Sequence, residues 1–305
     1  MIENHAHNHS HSDHELTGRS LLFSIFLNIG ITIAQVIGGL LSGSLSLLSD
    51  ALHNFSDVIS LIVSFFANRL AKREASIKRT FGFKRAEIMA AFINAASLVV
   101  IAIILVFEAI ERLQNPHKIS ANIVIILSVV AILGNGLSVL LLKQDSKVNM
   151  NMRSAYLHLI TDLMASIAVL IGGLLMKYYQ LFWVDSMLTF AIAIYLIIVG
   201  YDLLKRSFKV LMLYTPDTIE VKEIVNTINA LPKIKSIHHI HVWQLNEKET
   251  HLEAHIDFNS DIQVSEFGEV LHTIEDVLQK EFGINHVTLQ PEYGKEDNKD
   301  IIVQD

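Results

Sequence analysis

Two histidine–aspartate pairs, His53-x-x-x-Asp57 and His158-x-x-x-Asp162, sit inside strongly apolar stretches of this 305-residue chain. Residues four apart share one face of an α-helix, so each pair presents its imidazole and its carboxylate in one direction. Ionisable groups in such stretches are costly and face either a pathway or one another. Brought together, two nitrogens and two oxygens make the tetrahedral donor set that zinc favours. The blander reading has each pair bonding only its neighbouring helices, which leaves two separate buried charges to compensate. With neutral imidazoles and ionised carboxylates, the set carries two negative charges that a divalent cation cancels. Once the metal leaves, the same atoms are open to protons, so metal and protons compete for one site. That competition is a physical basis for exchange across a membrane. Two imidazoles disfavour Mg²⁺ and Ca²⁺, which prefer oxygen.

Other polar residues offer supporting chemistry. Asp50 lies one turn before His53 and reads either as a relay toward the site or as a helix-end aspartate bonded locally. Asn28 and Gln35 read as groups that join helices. The amino terminus carries His5, His7, His9, His11 and His14. That spacing suits weak, exchangeable metal capture, or belongs to a solvated tail. Further along, His238, His239 and His241 fall in one strand-like run. His251, Glu253, His255 and Asp257 occupy one face of the next. Histidine at this density favours metal binding over an ordinary surface.

The elements that must position these groups follow from hydropathy. Six apolar segments approach the roughly 20 residues that cross a bilayer as a helix. They run Leu21–Leu41, Leu45–Phe66, Ala86–Val106, Ala121–Leu142, Ala155–Met176 and Phe182–Leu204. Ser42-Gly43-Ser44 forces a tight hairpin between the first two, and all four prolines fall outside the spans. Gly30, Ala34 and Gly38, with Ala168 and Gly172, have the spacing that lets helices approach closely. Basic residues crowd alternate loops (Arg69 to Arg85, Lys143 to Arg153, Lys205 to Lys209), which predicts both termini in the cytoplasm.

After Leu211 the pattern becomes a soluble α+β alternation. It comprises a helix opening at Thr215-Pro216-Asp217, strands Ile234–Leu245 and Glu249–Phe258, a helix Val264–Phe282 and a strand from His286. The predicted organisation is a histidine-rich tail (1–19), six transmembrane helices (20–210), a cytoplasmic αββαβ domain of ferredoxin-like or metallochaperone-like form (211–292) and a flexible tail (293–305).

Composition agrees. The chain is 51% hydrophobic and 18% charged, with a mean hydropathy of +0.41, which suits a membrane protein bearing a polar domain. A net charge of −7 gives no basic footprint for nucleic acid, and the lack of cysteine excludes disulfides and thiolate metal sites. No secretory leader precedes the first apolar run. No phosphate-binding Gly-x-x-x-x-Gly-Lys-Ser/Thr loop signals nucleotide-driven pumping. No catalytic nucleophile or organic-cofactor motif accompanies the site, so an enzyme is not expected.

The chain resembles the cation diffusion facilitators, secondary transporters of zinc, cadmium and cobalt. The likeness rests on Ser46-Leu47-Leu48-Ser49-Asp50-Ala51-Leu52-His53, on Phe81-Gly82-Phe83-Lys84-Arg85-Ala86-Glu87, on Ile240-His241-Val242-Trp243 and on the paired histidines and aspartates. The resemblance implies a homodimer in the cell (cytoplasmic) membrane that exports metal in exchange for protons. It implies that His53, Asp57, His158 and Asp162 mark the zinc-preferring branch, with cadmium or cobalt also carried. It further implies regulatory Zn²⁺ on His238, His255 and Glu292 of the cytoplasmic domain. Regular alternation would set His238 opposite His239 and His241, so this ligand set calls for a strand bulge. The chain departs from many relatives in having Asn285 where they carry a histidine. The loop Ala71–Thr80 lacks the aspartate and histidines of a peripheral site. A zinc-gated channel or a membrane metal receptor is the alternative function.

Overall fold

The computed structural model describes residues 12–143, 150–246 and 248–303. Side chains of the histidine-rich amino terminus lie outside the described residues, so the expected capture tail is not among them. Six long helices come first: α1 (Ser12–Ser42), α2 (Leu45–Ala71), α3 (Ala86–Gln114), α4 (Ala121–Leu142), α5 (Met150–Tyr179) and α6 (Trp183–Leu211). Each predicted span lies within one of them, except that the sixth loses its first residue, Phe182, to the turn before α6. Several run a turn or more past the apolar stretch, because Lys, Arg and Glu sustain a helix in water as readily as Leu does in hydrocarbon. Among the described residues five are long and apolar enough to cross a membrane. The sixth, α2, is as long but is diluted by Asp50, His53, Asn54 and Asp57.

Two compact units result. One gathers the helices through Ile62 with Asn94–Tyr201; the other gathers Val63–Ile93 with the chain from Asp202 onward. In the first unit α1 and α4 touch where a side chain on Gly38 would overlap Leu127, and α5 and α6 touch where one on Gly172 would overlap Leu188. Gly30, by contrast, faces open space. The hairpin turn uses Gly43 at φ +72, a left-handed conformation that favours glycine. Arg112 donates to the Gly43 carbonyl at 2.6 Å. The start of α2 is held from α6: Asp185, fully buried, accepts from the Ser44 and Ser46 hydroxyls (2.5 Å each) and from the Leu45 N–H (2.8 Å). A carboxylate there satisfies free helix N–H groups and complements the helix dipole.

The second unit contains α7 (Val221–Asn229), β1 (Ile234–Gln244), β2 (Thr250–Phe258), α8 (Val264–Phe282) and β3 (His286–Glu292). The order β1-β2-β3 pairs β1 antiparallel and β3 parallel to β2, with α8 as the crossover. Apolar residues on one sheet face (Ile237, Leu252, Ala254, Ile256) close against Ile224, Ile228, Ile274 and Leu278 of the helices. Gly283 ends α8 at φ +68. Lys84 from the α2–α3 loop donates to Glu249 at 2.6 Å.

Two expectations need correction. The helix predicted from Thr215 begins at Val221, because the Pro216 carbonyl closes a turn with the Ile219 N–H and Lys209 pairs with Asp217 at 2.6 Å. The tail, expected to be flexible, is bonded back to β1 within its described residues (294–303). His239 and Ile240 N–H groups donate to the Asp300 and Ile301 carbonyls at 3.1 and 2.8 Å. This strap meets β1 at a bulge, where the register shifts between His238 and His241 and His239 adopts φ 49. His239 and Ile240 together span the place opposite Ala254, so His238 (opposite His255) and His241 (opposite Glu253) share a face.

Candidate metal centres

In the first unit α2 and α5 bring both pairs together. His53 Nε2 lies 3.6 Å from Asp57 and 3.9 Å from Asp162; His158 Nε2 lies 3.2 Å from Asp57 and 3.6 Å from Asp162. A tetrahedral ion with bonds of about 2.0 Å places its ligand atoms about 3.3 Å apart, so these spacings fit one shared cation. Asp162 is 1% exposed, while His158 at 40% is the most open of the four. Both Asp162 oxygens, Asp57 Oδ2 and His53 Nδ1 are buried without a hydrogen bond of good geometry. Among the described residues the two aspartates form ion pairs only with the two histidines. Buried acceptors left unpaired carry a large penalty that a divalent cation would remove.

A cavity of about 290 Å³ adjoins the quartet, lined by Asp50, His53, Thr161, Asp162, Tyr195 and apolar residues of α5 and α6. Asp50 is buried and accepts from Gln35 Nε2 at 2.7 Å, and Gln35 Oε1 accepts from Asn54 at 3.3 Å. Gln35 thus joins α1 to α2, as its position predicts, and Asp50 shares the cavity with two members of the quartet.

The second cluster lies on the open face of the sheet. His238 Nε2 is 3.4 Å from Glu292 and His255 Nδ1 is 3.1 Å from Glu292, with the imidazoles edge to face at 5.4 Å. Asp257 stands 3.7 Å from His238 Nδ1, placed to orient that ring. Ligand atoms of His238, His255, Glu292 and Asp297 all lie within 4.8 Å of one another. This donor set fits a zinc ion, and the bulge supplies the shared face that His238 needs.

Sequence reasoning missed Asp297 and its neighbours Lys295 and Lys299, because they sit on the strap. Lys299 Nζ contacts Glu292 (2.8 Å), Asp257 (3.1 Å), His238 Nε2 (3.4 Å) and Asp297. Lys295 contacts Glu292 at 2.5 Å. Burial alone would raise the Glu292 carboxyl, but hydrogen bonds from Lys295, Lys299 and Gln290 hold it down at about 2. Burial and the Lys299 charge keep the His238 imidazole below its ordinary value, hence neutral and able to ligate. The same carboxylates hold the Lys299 ammonium above its usual range despite burial.

Asn285 is spent on structure: its amide donates to the Lys248 carbonyl at 2.6 Å and its carbonyl accepts the Thr250 N–H at 3.1 Å. The adjacent His286 packs on His251, 4.4 Å between rings, apart from the cluster above.

Comparison with known proteins agrees with both halves of the chain. Residues 21–212 match the cation efflux transmembrane domain, and residues 216–293 match the cytoplasmic domain of cation efflux proteins. A cadmium, cobalt and zinc/H⁺–K⁺ antiporter of Bacillus subtilis is 36% identical over 94% of this chain and 91% of its own length. The metal cation efflux system protein CzcD of Cupriavidus metallidurans is 34% identical, covering 92% and 89%. The zinc transporter ZitB of Escherichia coli is 32% identical, covering 96% and 93%.

Proposed function

We propose a function from one premise: the chain belongs to the cation efflux family, the cation diffusion facilitators. Members are transporters rather than enzymes, and metal cation efflux is the general activity. Within it, this protein exports Zn²⁺ from the cytoplasm through His53, Asp57, His158 and Asp162, in exchange for protons, with both termini in the cytoplasm. Cadmium and cobalt are further cargo on the strength of the relatives' names. The observation that carries this reading is the convergence of four donors, each histidine 3.2–3.9 Å from each aspartate, with carboxylates that no lysine or arginine reaches among the described residues.

The chemistry follows from the donor set. Zn²⁺ joins two neutral imidazoles and two carboxylates, leaving the site uncharged overall. On release to the far side, protons take the vacated lone pairs, so the site crosses back without two bare carboxylates in low dielectric. Export then requires that α2 and α5 open the site to each side in turn. The carboxyl-terminal domain pairs two copies of the chain and binds cytoplasmic Zn²⁺ through His238, His255 and Glu292 as a signal to the transport unit.

The test uses sealed liposomes carrying a zinc dye and a pH dye. An imposed zinc gradient at equal pH drives zinc inward and protons outward, and both movements vanish in Asp57→Ala. Zinc entry without proton counterflow indicates a channel; tight binding without flux indicates a receptor. Either result rejects exchange at the quartet.

A further inference from the structure

We infer that the carboxyl-terminal strap is part of the cytoplasmic metal site: Asp297 is its fourth ligand, and Lys299 is a tethered cation that Zn²⁺ must displace. This rests on the reading that His238, His255 and Glu292 bind zinc. Three observations carry it independently of any bound ion.

The first is position. Lys299 Nζ lies within 3.4 Å of Glu292, Asp257 and the Nε2 of His238, which are the groups a metal would neutralise or bind. An ammonium and a zinc ion cannot occupy that space together, because Nζ already sits at hydrogen-bond distance from the ligand atoms. The second is the donor set. With Asp297 the cluster becomes two imidazoles and two carboxylates, all within 4.8 Å. That composition closes a tetrahedron, whereas His238, His255 and Glu292 alone leave a position open. Asp297 is held at the rim by Lys295 and Lys299, the first at 2.8 Å. Departure of Lys299 therefore frees a carboxylate beside the ion that replaces it. The third is attachment. The strap hydrogen-bonds the N–H groups of His239 and Ile240, the two bulge residues that bring His238 onto the ligand face. Ligand geometry and strap are built on the same backbone.

The exchange raises the charge of the site by one unit. One ammonium leaves and a dication enters, while the number of carboxylates stays the same. Zinc affinity is therefore set against an internal competitor at fixed, high effective concentration, which raises the zinc level needed for occupancy.

The experiment measures zinc affinity of the full-length protein in detergent by competition with a chelating dye, alongside thermal melting to establish folding. The cytoplasmic site is defined as the component lost in His238→Ala. Lys299→Met should tighten that component about tenfold or more, Lys299→Arg should stay near the parent, and Asp297→Asn should weaken it about tenfold. If Lys299→Met and Asp297→Asn both bind like the parent while His238→Ala loses the component, the strap has no part in the site and the inference fails alone. If His238→Ala binds like the parent, the underlying metal assignment fails as well. Weaker binding in a folded Lys299→Met protein also overturns the inference, since a competitor's removal cannot lower affinity.

Discussion

Asp57 and Asp162 face two histidines and, among the described residues, no lysine or arginine; Glu292 faces two histidines and two ammonium groups within 2.8 Å. Both clusters draw on histidine and carboxylate; on the proposed function one leaves its negative charge to a mobile ion, whereas the other has lysines of its own against it. The scaffold differs in step. The membrane quartet needs only the i, i+4 periodicity of α2 and α5, with Asp185 and Gln35 fixing α2. The sheet cluster needs a bulge, three strands and a returning chain end. A site that must load and unload in every cycle gains from having no resident competitor. A site that reports a concentration gains from one, because the competitor sets a threshold.

The sharpest attempt to break this contrast is substitution in the quartet. Asp57→Ala or His158→Ala should cut zinc flux by about a hundredfold or more, yet leave the His238-dependent zinc affinity within about twofold. Parental flux in either folded variant would remove the distinction between the sites. A second test uses pH. The Glu292 carboxyl is held at about 2 in the folded domain against an ordinary value of 4.5, so its stabilisation is present above pH 4.5 and lost as pH falls toward 2. The melting temperature reported by Trp243 fluorescence should therefore fall between pH 5 and pH 3 in the parent, and Glu292→Gln should flatten that dependence. An unaltered slope would mean that the lysines do not stabilise the ionised form.

Asp185→Ala tests whether the membrane quartet leans on its helix end. Loss of the cap should cost about 1–2 kcal/mol and lower the thermal midpoint, with flux reduced less than in the Asp57 variant. The smallest effect is expected at His239. A glycine there relieves φ 49 and should change stability by less than about 1 kcal/mol, whereas valine should destabilise visibly in the same melt.

Periodicity made the quartet legible: residues four apart in apolar helices point one way whatever the rest of the chain does. The strands and α8 were legible for the same reason, and the ligand set implied by the family resemblance, laid on regular alternation, called for the bulge. Three features were not. Pro216 read as a helix start, but its carbonyl is taken by a turn. Asp185 drew no reading from the sequence, since nothing local shows that α6 caps α2. Asp297 and Lys299 belong to a charged segment whose composition resembles a free tail, and only the return to β1 gives them partners. The last two depend on where a distant stretch of backbone arrives.

The bulge in β1 has a consequence for how this domain tolerates change. Parity along a strand is a matter of counting, and one additional residue between His238 and His241 decides which side of the sheet His238 occupies. Deleting Ile240 would leave a single residue opposite Ala254, so β1 would pair regularly with His238 still opposite His255, while the strap would lose one of its two anchoring N–H groups. The ligand face at His238 thus depends on the extra residue staying bulged: a regular ladder running through all of β1 with Ile240 still present would turn His238 toward the helices.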